Sequence, residues 1–199
     1  MITHVLLLAA GASTRMGQSK QLISLYGETL LARATRTALG ASPYVTVVLG
    51  ADSNAHRVLL EDFPVHVVEN PGWSSGMGTS LKEGLASIRM SDPPAEAVMV
   101  MLCDQPDVTT AHLKMLMAKA KESPKGIVAS GYDHTMGAPA LFKPGMFDRL
   151  AGIADDGGAS KLIREIPDDV AVVDFPGGSV DLDTPQDLDR YLGRQGGTQ

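Results

Sequence analysis

Apolar runs of strand length recur along the chain, at Val5–Ala10, Val45–Leu49, Val65–Val68, Ala97–Cys103, Ile127–Ser130 and Val170–Val173. They are rich in Val, Leu and Ile, and most lack alternation of apolar and polar positions. That pattern predicts strands buried on both faces. Helical spacing appears between them. Leu30, Leu31, Ala34, Ala38 and Leu39 share one face of a helix over Leu30–Leu39. Leu81–Ile88, Thr109–Ala120 and Ser160–Arg164 also read as helices, with Thr79 or Ser80 opening the first and Thr109 or Thr110 capping the second. Gly131–Phe142 reads as a turn followed by a short strand. Thr184-Pro185 is a helix start, with Thr at the cap and Pro at the first position. Strands alternating with helices predict an α/β domain with a mostly parallel sheet. One domain over residues 1–199 is expected, with the tail after Leu192 frayed.

Composition narrows the picture. The 199 residues are 44% hydrophobic but only 5% aromatic, which predicts an aliphatic core. The net charge of -6 argues against a general nucleic-acid binder, whose footprint would be basic. A nucleotide site needs only a few local cations, so it stays open. The single cysteine, Cys103, allows no internal disulfide, which fits a reducing cytoplasm. The first apolar run lacks a charged lead-in and is too short to span a bilayer, so a soluble cytoplasmic protein is expected.

The chemistry concentrates where strands end, because open α/β sheets hold ligands beyond the carboxyl ends of their strands. The first strand runs into Leu6–Lys20, L-L-L-A-A-G-A-S-T-R-M-G-Q-S-K. Small residues there let backbone N–H groups approach a polyanion, and Arg15 and Lys20 add positive charge. Neither the Walker pattern nor the dinucleotide fingerprint fits, since five residues separate Gly11 from Gly17 and Lys20 follows three later. The alternative is a glycine-rich turn with two solvated cations.

After Glu69-Asn70-Pro71 comes G-W-S-S-G-M-G-T-S-L, whose hydroxyls and N–H groups can read a nucleobase edge. Trp73 reads as a lid on the core rather than a stacking platform. Asp104 ends a buried strand, where a carboxylate is costly unless paired or holding a cation. It reads as a magnesium ligand, or else as a helix cap or a partner of Arg15 or Lys20. Asp107 is expected to be exposed. Asp155 and Asp156 read as a cation site or a solvated turn. Asp181 and Asp183, two apart, point the same way in extended chain. Either can be the second carboxylate on a metal, or Asp183 can support the Thr184 cap. The scattered histidines and Cys103 are assigned no chemistry.

Four motifs carry a resemblance. L-A-A-G-x-S-x-R-M-G-x-x-K, N-P-x-W-x-x-G-M-G-x-S-L, D-Q-P after a hydrophobic strand, and D-x-D-T-P-x-D-L together resemble the molybdenum cofactor cytidylyltransferase group. That group is related to the molybdopterin guanylyltransferases, and the likeness spans roughly Leu6 to Leu188. It implies a three-layer α/β/α Rossmann-like nucleotide-diphospho-sugar transferase fold and a Mg²⁺-dependent transfer of CMP from CTP to the phosphate of molybdenum-bearing molybdopterin. In that family L-A-A-G goes with CTP and L-A-G-G with GTP, so Ala10 points to CTP.

By the same resemblance Arg15, Lys20 and Asp104 are catalytic. The backbone of Leu8, Ala9, Ala10 and Gly11, with Asn70, Gly78 and Ser80, grips base and ribose. Asp104 and Asp183 hold the metal. A receiving molybdoenzyme is an implied partner, and neither nucleic acid nor membrane is. Cys103 replaces a frequent Gly before D-Q-P. Gly137-Ala138-Pro139 replaces a frequent G-H-P near the acceptor side, which leaves another phosphorylated acceptor as an alternative. A molybdenum cofactor chaperone without transfer activity is the reading from a different class.

Overall fold

The computed structural model describes residues 1–195. Seven strands form one sheet: β1 (Thr3–Ala9), β4 (Val45–Leu49), β5 (His66–Glu69), β6 (Ala97–Leu102), β7 (Ile127–Tyr132), β8 (Thr135–Phe142) and β9 (Val170–Asp174). Their order is β5-β4-β1-β6-β8-β7-β9. All run the same way except β8, which is antiparallel to both β6 and β7. A separate small ribbon pairs β2 (Ser24–Leu25) with β3 (Glu28–Thr29).

Alternation along β1 builds the layers. Val5, Leu7 and Ala9 face a core completed by Leu31, Ala34 and Ala38 of α1 (Leu30–Ala41) and by Leu113, Leu116 and Ala120 of α4 (Thr110–Glu122). Leu6, Leu8 and Ala10 face the opposite core. That one is closed by Leu81, Leu85 and Ile88 of α3 (Met77–Arg89), Leu150 of α5 (Phe147–Ala151), and Leu162 and Ile163 of α6 (Ala159–Glu165). Helices cover both faces because the central strands are apolar on both, Val5–Ala9 of β1 and Ala97–Leu102 of β6 without a polar position. The architecture is the expected three-layer α/β/α.

A third, smaller cluster fixes the site. Met16, Ile23, Leu25 and Leu30 from the early chain bury against Leu182 and against Tyr191 of α7 (Pro185–Gln195). Leu182 N–H also donates to the Asp104 carbonyl at 3.0 Å. The first loop, the end of β6 and the C-terminal segment are thereby tied together. The last helix extends beyond Leu192 to Gln195, and the rest of the expected frayed tail lies outside the described residues. No described helix is long and apolar enough to cross a membrane.

Candidate functional site

A cleft of about 390 Å³ opens at the carboxyl end of β1 and β6. Leu8, Ala9, Ala10 and Gly11 form one wall, and Trp73, Met77 and Ser80 form another. Lys20 and Asp104 close the end. Trp73 packs on the core beneath α3 and lines the cleft as well.

The phosphate loop does not continue into a long helix. It makes a short 3-10 turn at Thr14–Met16, entered by Ser13 and left by Gly17, both at positive φ, and another at Lys20–Leu22. Gly17 suits the left-handed position it fills. These turns bring Lys20 Nζ onto Asp104 Oδ2, and onto Asp183 Oδ1 at 2.9 Å. Arg15 Nη2 reaches Asp183 Oδ2 at 2.6 Å from the solvent side. Burial works against the Lys20 charge. The Asp104 carboxylate and the hydrogen bonds to Asp104 and Asp183 outweigh it and hold the ammonium well above the ordinary lysine range.

The Asp183 side chain takes no part in the helix cap, since its oxygens accept from Arg15 and Lys20. Thr184 N–H and Oγ1–H donate to Asp187 Oδ2 at 2.9 and 2.7 Å, and Asp187 N–H returns to Thr184 Oγ1 at 3.2 Å. This reciprocal cap leaves Asp183 to the two cations. Asp181 stands beside the pair. Lost solvation and the Asp104 charge push its carboxyl up to about 6, against a contact from the Gln105 amide. Buried Cys103 is pushed up to about 12, first by desolvation and then by Asp104, so it stays a thiol.

Asn70 and Gly78 stand behind the wall of the cleft. Asn70 Nδ2 donates to Thr79 Oγ1 and Ser80 Oγ at 2.8 and 2.9 Å, and its Oδ1 accepts from Gly72 N–H at 2.9 Å. Gly78 lies against the 154–155 backbone, where a Cβ would sit 2.1 Å from the Ala154 carbonyl oxygen. Asp107 is half-buried and accepts from Tyr191 Oη at 2.9 Å. Asp155 pairs with Lys82 at 2.6 Å, as a solvated turn would. Sequence reasoning missed Gln21. Its amide nitrogen donates to the Ala9 and Gly11 carbonyls at 3.0 and 2.9 Å from inside the loop. Only its place directly after Lys20 hinted at a role.

A cation fits this end of the cleft. Asp104 Oδ1 is buried without a hydrogen-bond partner, and a hard carboxylate oxygen left so is what a divalent ion satisfies. Among the described residues no three potential side-chain ligands cluster, so the protein would supply Asp104 and Asp183, with other oxygens coming from substrate and water.

The sequence profile of the MobA-like NTP transferase domain matches residues 5–170. Nicotine blue oxidoreductase of Paenarthrobacter nicotinovorans is 31% identical over 198 residues, 94% of each chain. Purine catabolism protein PucB of Bacillus subtilis is 28% identical, covering 92% of each. A probable molybdenum cofactor guanylyltransferase of Synechococcus elongatus is 32% identical over 111 residues, 55% of this chain and 54% of its own. The crystal structure of Rv0371c from Mycobacterium tuberculosis superposes with a TM-score of 0.83 at 28% identity, covering 96% and 97% of the two chains. A manganese complex of that protein superposes at 0.79 with 28% identity, covering 97% and 99%.

Proposed function

The chain belongs to the MobA-like NTP transferase family, and from that premise we propose that it transfers CMP from CTP to the terminal phosphate of a molybdopterin-type acceptor, releasing pyrophosphate. One observation carries the reading. Lys20 from the first loop meets Asp104 and Asp183, which come from distant parts of the chain, at the closed end of a nucleotide-sized cleft.

The chemistry follows from those groups. An acceptor phosphate oxygen attacks the α-phosphorus in line, a new phosphoanhydride forms, and the α–β bridge breaks to expel pyrophosphate. Lys20 and Arg15 neutralise the triphosphate and the charge that develops on it. The walls hold base and ribose so that attack is geometrically set, and positioning supplies most of the rate. The acceptor is already ionised, so no general base is required, and no histidine is among the residues lining the cleft. Asp104 and Asp183 would hold Mg²⁺, which supplies charge neutralisation at the phosphates when bound. Such an ion and the Lys20 ammonium seek the same carboxylates. Nucleotide binding would therefore draw Lys20 off Asp104 onto the phosphates.

Ala10, in the cleft wall, carries the preference for CTP through the family resemblance. A second reading keeps the chemistry with another phosphorylated acceptor, and Gly137-Ala138-Pro139, where the resemblance expects G-H-P, favours it. Pyrophosphate release is measured with Mg²⁺, each of CTP and GTP, and either molybdopterin or simpler phosphomonoesters. Release with CTP and molybdopterin, lost in Asp104→Ala, is the expected result. Release with GTP alone overturns the base assignment. Release only with another phosphomonoester establishes the second reading. Absence of release with every pair, despite cofactor binding, leaves a carrier.

A further inference from the structure

Gln21 is 1% exposed and lines the cleft, yet it offers nothing to a ligand. Its amide has two donor hydrogens and one carbonyl oxygen. Both hydrogens go to carbonyl oxygens, of Ala9 at 3.0 Å and Gly11 at 2.9 Å. The oxygen accepts from Ser13 Oγ at 3.2 Å and Ser19 Oγ at 2.9 Å. Carbonyls can only accept, so the amide cannot flip.

That one orientation sets every proton around it. Ser13 spends its hydrogen on Gln21 and accepts from the Lys20 N–H at 3.1 Å. Ser19 spends its hydrogen on Gln21, so at 2.6 Å the His56 ring must donate from Nε2. His56 is fully buried and its Nδ1 has no partner. A lone pair there costs less than an orphaned N–H, which agrees with the same tautomer.

We propose that Gln21 is a positioning residue that locks the phosphate loop in its nucleotide-receiving shape, with Ser13, Ser19 and His56 as its supports. It joins the end of β1, whose backbone forms one wall of the cleft, to the turn that carries Lys20. The loop is thereby ordered before any ligand arrives. The role in nucleotide binding rests on the proposed function, whereas the lock itself does not.

The test uses the full chain. In wild type, ¹⁵N NMR of His56 should report the Nε2–H tautomer. In Gln21→Met, which keeps the volume and removes the amide, backbone amides of residues 11–20 should exchange at least tenfold faster without nucleotide, while those of β6 are unchanged. The dissociation constant for CTP with Mg²⁺ should rise at least tenfold. If Gln21→Met does not fold, Ser19→Ala cuts one support and should show a smaller rise in loop exchange. An Nδ1–H tautomer, or loop exchange equal to wild type in the variant that folds, overturns the lock. A wild type that binds no nucleoside triphosphate sinks the proposed function alone, because tautomer and exchange are read without ligand.

Discussion

Replacing Lys20 by Met tests the centre of the site. The Lys20 and Asp104 side chains are only 14% and 15% exposed, so this pair sits much nearer the buried limit than the surface one. Exposed pairs contribute about 0–1 kcal/mol, whereas breaking a buried pair costs about 3–5 kcal/mol by stranding the remaining charge. Asp183, 30% exposed, keeps Arg15, so most of the penalty falls on Asp104. The expected loss is about 3 kcal/mol near neutral pH. For a chain of this size that lowers the melting temperature by roughly 6–12 °C.

A thermal melt reads this directly. Adding Asp104→Asn to Lys20→Met should restore most of the loss, since the stranded charge is gone. Mg²⁺ should stabilise Lys20→Met more than wild type, because no ammonium competes with it. A single variant within 2 °C of wild type, or a double variant no better than the single, would refute the account.

Asp181→Asn should stabilise the ligand-free protein at neutral pH. The folded carboxyl titrates at about 6 against an ordinary 3.8, so folding favours its protonated form. Its stabilising contribution is present at low pH and is lost as pH rises through the folded value. The residue is exposed by area, so solvent screening reduces the gain to about 1 kcal/mol at pH 8. Urea midpoints at pH 4 and 8 check it: an equal gain at both would contradict the sign. Gly78→Ala should cost about 2 kcal/mol by pushing α3 off the Ala154 carbonyl. An unchanged melting temperature with weakened CTP binding would instead make Gly78 a ligand contact.

The strands were legible because their composition admits little else. Val45–Leu49 is matched residue for residue, and the other strands shift only slightly at their ends. β8 runs longer than a short strand because its one awkward residue is accommodated. Pro139 lacks an N–H, and the β7–β8 register shifts so that Ala138 and Pro139 fall between the paired residues. α2 (Ser53–Val58) was illegible, since six largely polar residues give no apolar period.

Within the site, Lys20, Asp104 and Asp183 could be named from motif positions. That Lys20 would bridge both acids could not, because it depends on the small core joining Met16 and Ile23 to Leu182 and Tyr191. Gln21 was hidden for the same kind of reason. Two of its partners are backbone carbonyls at the end of the first strand, and such pairing leaves no side-chain signature.

The single reversed strand has a consequence for how this enzyme class diversifies. Because β8 runs backward, the tip joining it to β7, Tyr132–Thr135, emerges at the same end of the sheet as Asp104. A hairpin tip can lengthen or change without moving β1 or β6, which border the cleft. Under the proposed function, this tip is a segment that relatives can exchange while the loop carrying Lys20 and the strand leading to Asp104 stand still, and grafting it between relatives asks whether acceptor choice travels with it.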